Sequence, residues 1–158
     1  MPKKSAPDIS RITDDVFISA WPEGEHADEI LDLNIRLILS MHWMRPSRTL
    51  HRPPLRVLWL PTIDTPFTPM PIATLRRGVE AALPIIMRDR RAVLCHCRAG
   101  VHRSVAMACC VLIGMGHSAD EAMRLVQEKR AVADPNIWYI RRRILEFERQ
   151  NLAGKIQA

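Results

Sequence analysis

The feature that most constrains the fold is one segment in which an apolar run, a short polar loop and a second apolar run follow directly. Residues 91–95 have the length and composition of a buried β-strand, and residues 104–115 are apolar on almost every side of a helix. The loop between them runs from Cys97 to Arg103. The segment therefore predicts a buried parallel strand that leads through a tight loop into a central buried helix.

Short apolar runs and helical patterns alternate along most of the chain. The predicted strands are 16–20, 36–41, 55–60 and 91–95. The predicted helices are 24–34, 71–88, 104–115, a helix that opens at the capping box of Ser118 and Glu121, and 135–150. Pro84 is expected to kink or interrupt the second helix because proline has no amide hydrogen. We predict an α/β fold with a mostly parallel central sheet flanked by helices.

The length of 158 residues is that of one domain with its own hydrophobic core. The chain contains no internal repeat and no low-complexity tract. We predict a flexible amino terminus over residues 1–8, a single domain over 9–152 and a frayed carboxyl terminus over 153–158.

Composition limits the partners and the compartment. The chain has 23 Lys and Arg against 17 Asp and Glu, and its net charge of +6 favours anionic partners. No apolar run is long enough to span a membrane, and the first residues lack the apolar core of a secretory signal. Four cysteines without such a signal indicate free thiols in a reducing compartment, so we predict a cytoplasmic protein. Aromatic residues are only 5% of the chain, so specific nucleic-acid binding is not expected.

The loop from Cys97 to Arg103 has the residues of an anion cradle. The backbone amides of such a loop can turn inward, and the following helix adds the positive end of its dipole. Gly100 permits the tight turn, and Arg103 offers two parallel donors to a phosphate group. A thiol at the bottom of this cradle has a lowered pKa. Cys97 is therefore expected to be a thiolate arranged for in-line attack on phosphorus.

Residues 96–104, His-Cys-Arg-Ala-Gly-Val-His-Arg-Ser, resemble the H-C-x-x-G-x-x-R-S signature of cysteine-dependent protein tyrosine phosphatases. Residues 12–19, 116–122 and the Pro135-Asn136 step are similar to flanking segments of the dual-specificity branch. The resemblance implies a phosphomonoester hydrolase that acts through a phosphocysteine intermediate without a metal or other cofactor. Its implied substrate is a phosphorylated protein or a small phosphomonoester.

The same resemblance implies a role for each residue of the signature. Cys97 is the nucleophile, and Ser104 donates a hydrogen bond to its sulfur and eases its departure in the second step. His96 orders the loop by hydrogen bonding to the backbone and helps to keep the thiolate charged. The phosphate-binding residues are Arg98, Ala99, Gly100, Val101, His102 and Arg103. The side chains of Arg98 and His102 are expected at the rim of the pocket.

Asp64 is the candidate general acid. The family takes this acid from a separate loop a few tens of residues before the cysteine, and Asp64 follows the predicted strand 55–60 at such a distance. Between Leu33 and Val79, Asp64 is the only Asp or Glu. If the acid comes from the segment after that strand, no other residue can supply it. Asp64 must be protonated while Cys97 is ionised, and it then takes a proton from the attacking water.

The other cysteines and a metal site have simpler interpretations. Cys95 is expected to be a buried strand residue, because alternate strand positions lie too far apart for a favourable disulfide with Cys97. Cys109 and Cys110 lie within the apolar helix and are expected in the core. A metal site formed by residues 95–97 and His102 is not expected, because adjacent strand residues point to opposite faces.

Several alternatives remain open at this stage. The same mechanism can act on phosphoinositides, inositol phosphates or RNA 5′-phosphates, since each presents a phosphomonoester. A sulfurtransferase also uses a loop cysteine, and a catalytically idle phosphate-binding module needs only the cradle. A nucleotide hydrolase with a Gly-x4-Gly-Lys loop is disfavoured because the chain lacks that motif. The oligomeric state is left open.

Overall fold

The fold is built around a five-stranded sheet. A computed structural model describes residues 5–157, with the backbone alone for 156 and 157. Its strands are β1 (Ile9–Arg11), β2 (Val16–Ser19), β3 (Ile35–Ser40), β4 (Arg56–Trp59) and β5 (Ala92–His96). Their order is β1-β2-β5-β3-β4, and every neighbouring pair is parallel except the antiparallel pair β1–β2. The predicted α/β fold with a mostly parallel central sheet is confirmed.

Helices cover both faces of this sheet. They are α1 (Ala27–Asp32), α2 (Ile72–Met87), α3 (Arg103–Gly114), α4 (Ala119–Lys129) and α5 (Trp138–Gln157). A small core that includes Phe17, Ile30 and Leu94 lies on the face covered by α1, and the larger core lies on the other face. The predicted central helix is confirmed, since every residue of α3 except its last is buried. Among the residues that the structure describes, no helix is both long and apolar enough to cross a membrane.

Pro84 does not interrupt α2, so the predicted interruption is wrong, and the kink stays a prediction. The helix continues to Met87, which places Pro84 in its last turn, where few further intrahelical bonds depend on it. The Arg88 amide donates to the Pro84 carbonyl at 3.1 Å and closes the helix. The buried face of α2 offsets the bond that proline cannot make; it comprises Leu75, Gly78, Val79, Ala82, Ile85 and Ile86.

Near both ends of the chain, the described residues continue a helix or make defined contacts. The terminal helix α5 begins at Trp138, because the Asp134 carboxylate accepts from the amides of Asn136 and Ile137. The helix continues through the described part of the segment 153–158, which the sequence predicts to be frayed. Strand β1 was not predicted, since three residues carry no clear pattern. In the predicted flexible segment 1–8, residues 1–4 lie outside the described residues, whereas Asp8 is bound by the Arg130 side chain. The domain boundaries at 9 and 152 stay a prediction.

The parallel strands bring two loops to one edge of the sheet. Cys97 directly follows β5, the central strand, and Asp64 follows β4 after a short extended segment. The carboxyl ends of neighbouring parallel strands meet at the same edge, which is where open α/β sheets bind their ligands. The fold thus places Asp64 and Cys97 at one end of the molecule.

Candidate active site

In residues 97–103, here called the cysteine loop, the carbonyl oxygens of 97–101 bind groups outside the loop. Three of them accept hydrogen bonds from different elements: Cys97 O from His96 Nδ1 at 3.1 Å, Arg98 O from the Trp21 amide at 2.9 Å and Val101 O from the Asp134 amide at 3.0 Å. Outward carbonyls in so tight a loop leave its amides to face the interior of the turn. The result is a concave ring of N–H donors suited to an anion.

Arg130 holds the two carbonyl groups in the middle of the cysteine loop. Its Nε donates to Gly100 O at 2.8 Å and its Nη2 to Ala99 O at 3.2 Å. The guanidinium is buried, and Asp8 binds it through both carboxylate oxygens at 2.9 and 2.8 Å. The Arg130 hydrogen bonds lower the pKa of the Asp8 carboxyl, an effect that burial opposes. A buried, paired guanidinium therefore supports the loop from behind.

Gly100 is the one position of the cysteine loop with a positive φ, at +68°. A Cβ atom there would lie 2.8 Å from the Ser19 carbonyl oxygen and 2.6 Å from Arg130 Nη2. Both the backbone conformation and the close approach of β2 exclude a side chain.

Cys97 lies at the base of the loop and is only 3% exposed. Burial by itself raises the pKa of its thiol, but hydrogen bonds from the Ser104 hydroxyl and from the Ser104 and Gly100 amides outweigh it. The nearby Arg103 charge adds to them, so the pKa of Cys97 lies below its ordinary value. The Cys97 Sγ and Ser104 Oγ atoms are 3.2 Å apart.

Arg103 begins α3 and is 6% exposed. Its Nη1 donates to the carbonyl of Thr62 at 2.9 Å, which ties the cysteine loop to the segment that carries Asp64. Its Nε has no partner among the described residues. A buried guanidinium with a donor to spare can bind an oxyanion at the mouth of the loop.

His96 is fully buried at the end of β5. Burial lowers the pKa of its imidazole to about 4, although the hydrogen bond to the Cys97 carbonyl opposes this effect. His96 is therefore neutral at neutral pH and acts on the loop through that hydrogen bond. Its ring packs edge-on against Trp21 with centroids 5.4 Å apart.

Asp64 is held at both oxygens. Its Oδ2 lies 2.9 Å from His102 Nδ1, and its Oδ1 accepts from the Tyr139 hydroxyl at 2.9 Å. Of the two residues expected at the rim, His102 thus contacts the candidate acid, whereas Arg98 is exposed. The structure brings together every candidate residue from the sequence, with Asp64 above the cysteine loop.

The other three cysteines are buried and free. Burial raises the pKa of Cys95, Cys109 and Cys110, and no hydrogen bond in the described part of the chain reverses this effect as it does at Cys97. Within residues 5–157, no three His, Cys, Asp or Glu side chains are grouped so that they could hold a metal ion.

Comparison with known families explains this geometry. The family model described as dual specificity phosphatase, catalytic domain, matches residues 16–150. The chain belongs to this family. The resemblance inferred from residues 96–104 is confirmed, and the chain is of the cysteine-dependent, dual-specificity phosphatase type.

Curated relatives of this dual specificity phosphatase domain are distant. It is 26% identical over 142 residues to tyrosine-protein phosphatase yvh1 of Schizosaccharomyces pombe, covering 89% of this chain but 42% of that protein. It is also 26% identical to dual specificity phosphatase 28 of Mus musculus, covering 84% of this chain and 80% of that protein.

Solved structures share the fold at similar distance. A mouse putative dual specificity phosphatase complexed with zinc tungstate superposes with a TM-score of 0.83 at 24% identity, covering 99% of this chain and 96% of that chain. PTPMT1 in complex with PI(5)P superposes with a TM-score of 0.82 at 24% identity, covering 94% of this chain and 99% of that chain.

The sequence does not predict the roles of two residues of this dual specificity phosphatase domain, Arg130 and Tyr139. Arg130 lies 30 residues from Gly100 and 122 from Asp8, and no local pattern marks it. Tyr139 lies 75 residues from Asp64. It is the only tyrosine of the chain, which is the one signal that could have drawn attention to it.

Proposed function

We propose that this domain hydrolyses phosphomonoesters through a covalent phosphocysteine on Cys97. The observation that carries this proposal is a buried thiol, 3.2 Å from the Ser104 hydroxyl, beneath a loop whose carbonyls at residues 97–101 bind groups outside the loop. The thiolate attacks phosphorus in line with the leaving oxygen. An S–P bond forms as the P–O bond breaks.

The cysteine loop stabilises the phosphoryl group during transfer. Its amides and the Arg103 guanidinium offer donors to the three oxygens that carry charge in the transition state. The amides belong to Arg98, Ala99, Gly100, Val101, His102 and Arg103. Because this loop is fixed by hydrogen bonds to the scaffold, it needs little reorganisation when charge develops.

Proton transfer and sulfur departure complete the cycle. Asp64 gives its proton to the leaving oxygen in the first step and takes a proton from water in the second. The water oxygen bonds to phosphorus as the S–P bond breaks, and inorganic phosphate leaves. The Ser104 hydroxyl, 3.2 Å from the sulfur, stabilises the thiolate as it departs. His96 orders the loop through the Cys97 carbonyl.

The surroundings of the loop favour a phosphorylated protein as substrate. A cleft of about 320 Å³ opens beside Thr62, whose carbonyl binds Arg103, and its lining includes the exposed side chains of Trp43 and Ile63. Such apolar surface next to an anion cradle suits a phosphorylated side chain with apolar neighbours. A thiolate nucleophile also needs a reducing compartment, and the four free cysteines support a cytoplasmic location.

A panel of phosphomonoesters, assayed in EDTA, tests the proposal. We expect phosphotyrosine and phosphoserine peptides to release inorganic phosphate and Cys97→Ser to bind vanadate with almost no turnover. The panel includes inositol phosphates, phosphoinositides and RNA 5′-phosphates, and preference for one of these overturns the protein substrate. Phosphopeptide binding without phosphate release, or turnover of thiosulfate, overturns the phosphatase activity itself.

A further inference from the structure

The carboxyl group of Asp64, the candidate acid, contacts two other side chains. Its Oδ2 contacts the His102 ring, and His102 belongs to the cysteine loop itself, so one residue of the cradle touches the group that protonates the leaving oxygen. The opposite oxygen of Asp64 is bound by Tyr139, the second residue of α5. Asp64 thus connects three separate segments of the chain.

The Tyr139 hydroxyl donates to Asp64 over the whole working range of pH. Burial raises the pKa of Tyr139 to about 12, and the hydrogen bond to Asp64 and the charges of Asp64 and Asp134 act in the same direction, against the opposing Arg103 charge. The phenol therefore stays protonated and donates to Oδ1. This hydrogen bond fixes the orientation of the Asp64 carboxyl group.

His102 contacts the other oxygen of the carboxyl group. Its Nε2 lies 3.9 Å from an Asp134 carboxylate oxygen, which favours a hydrogen on Nε2 and leaves Nδ1 to face Asp64. If Asp64 is protonated, Nδ1 accepts its hydrogen bond. If the proton moves to the ring, the imidazolium donates to the carboxylate. Both arrangements contain the same number of protons, so either side chain can hold the proton while the hydrogen bond is kept.

We propose that His102 is a positioning residue that shares the acid proton with Asp64, while Tyr139 sets the orientation of the carboxyl group. The inference rests on the proposed function. In the first step the pair releases its proton through Asp64 to the leaving oxygen and is left as carboxylate and neutral imidazole. In the second step it regains a proton from the attacking water.

Three neighbouring side chains act on the Asp64–His102 pair, directly or through one another. Asp134, from the segment between α4 and α5, stabilises the proton on the ring through its negative charge. Tyr139, from α5, orients the carboxyl group through its hydroxyl. Arg103, from α3, acts on Tyr139 through its charge. Removal of His102 takes away a second site for the proton, whereas removal of the Tyr139 hydroxyl takes away only a contact that orients Asp64.

The pH dependence of kcat/KM tests the proposal with two variants. For phenyl phosphate, a poor leaving group, we expect His102→Gln to move the alkaline limb to lower pH, because Asp64 alone then holds the proton. Tyr139→Phe removes only a contact that orients Asp64, so it should lower kcat for this ester and leave the limb in place. His51→Gln, which alters an exposed histidine away from the site, should leave the profile unchanged.

An ester with a very good leaving group separates this inference from the proposed function and from misfolding. Its hydrolysis needs the folded loop but little acid, so we expect Tyr139→Phe to retain most of it and Cys97→Ser to lose it, and vanadate affinity shows whether the cysteine loop of His102→Gln still binds an oxyanion. An alkaline limb that stays in place in His102→Gln, or moves equally in both variants, overturns the sharing of the proton. Turnover that survives Cys97→Ser overturns the proposed function instead.

Discussion

At the scale of single residues, the sulfur of Cys97 differs from the other three because of its hydrogen bonds. Burial raises the pKa of all four thiols, and for Cys95, Cys109 and Cys110 it decides the outcome. At Cys97, the Ser104 hydroxyl and two backbone amides reverse the direction. A buried thiol can therefore be reactive when several donors converge on it.

Alkylation by iodoacetate across pH measures this difference. We expect one reactive thiol, with a midpoint below the usual value near 8.5, and protection by vanadate or arsenate. Ser104→Ala removes a donor to the thiolate and should move the midpoint to higher pH. Cys97→Ser serves as the control and should abolish the fast reaction. An alkaline midpoint without oxyanion protection would contradict the proposed site.

Replacement of Asp64 by asparagine tests its role as the acid. The variant keeps the size and most hydrogen bonds of the side chain but has no proton to transfer. We expect kcat for phenyl phosphate to fall by about 10²-fold or more, and kcat for an ester with a very good leaving group to fall far less. Steady-state assays on both substrates check this difference. Equal losses on both would show that Asp64 does something other than protonate the leaving group.

At the scale of elements, the sequence predicts those parts of the fold that depend on local pattern. β2, β3, β4 and β5 and all five helices follow from apolar periodicity and capping, because these signals come from neighbours along the chain. β1 is too short to carry a pattern. The number of hydrogen bonds lost at Pro84 depends on where the helix ends, which the local pattern around the proline does not give. The end of α5 depends on continued helix propensity rather than on a stop signal.

The candidate site likewise contains residues that the sequence predicts and residues that it does not. Residues 96–104 are contiguous, so their chemistry could be inferred directly, and Asp64 could be inferred because its segment has no other acid. Arg130, Tyr139 and the Asp64–His102 contact depend on tertiary approach across tens of residues. One sequence contains no signal of such approach.

Substitution of Gly100 tests how the elements confine the cysteine loop. Gly100→Ala places a Cβ against the Ser19 carbonyl and Arg130, so we expect a loss of phosphatase activity and a lower Tm. Gly116→Ala is the matched control, since Gly116 also has a positive φ, +113°, but no atom within 4 Å of its added Cβ. It should lose about 1–3 kcal/mol of stability because of its strained backbone, and it should keep its activity. Thermal denaturation and vanadate affinity of both variants distinguish crowding from backbone strain. Equal effects would mean that the loop can move away from β2.

At the scale of the whole molecule, the larger core fixes the site from below. α3 begins at Arg103 and packs against α2, α4 and α5, so the first turn that carries Arg103 and Ser104 rests on the most buried part of the domain. β5, which ends just before Cys97, lies between β2 and β3. Both sides of the cysteine loop are therefore anchored in buried elements, and such elements are the most resistant to local unfolding.

Truncation of α5 tests where the domain ends. Residues 152–155 are exposed, whereas Phe147 is 4% exposed in the larger core and the Gln150 side chain accepts from Arg76 at 2.6 Å. A chain that stops after Leu152 should keep its activity, with a Tm within a few degrees of the full chain. A chain that stops after Glu146 loses the Phe147 ring, which costs about 3–5 kcal/mol, a large share of the stability of a domain this size. Phe147→Ala in the full chain isolates that contribution. Circular dichroism melts and hydrolysis rates check all three, and unfolding of the chain that stops after Leu152 would mean that the domain extends beyond 152.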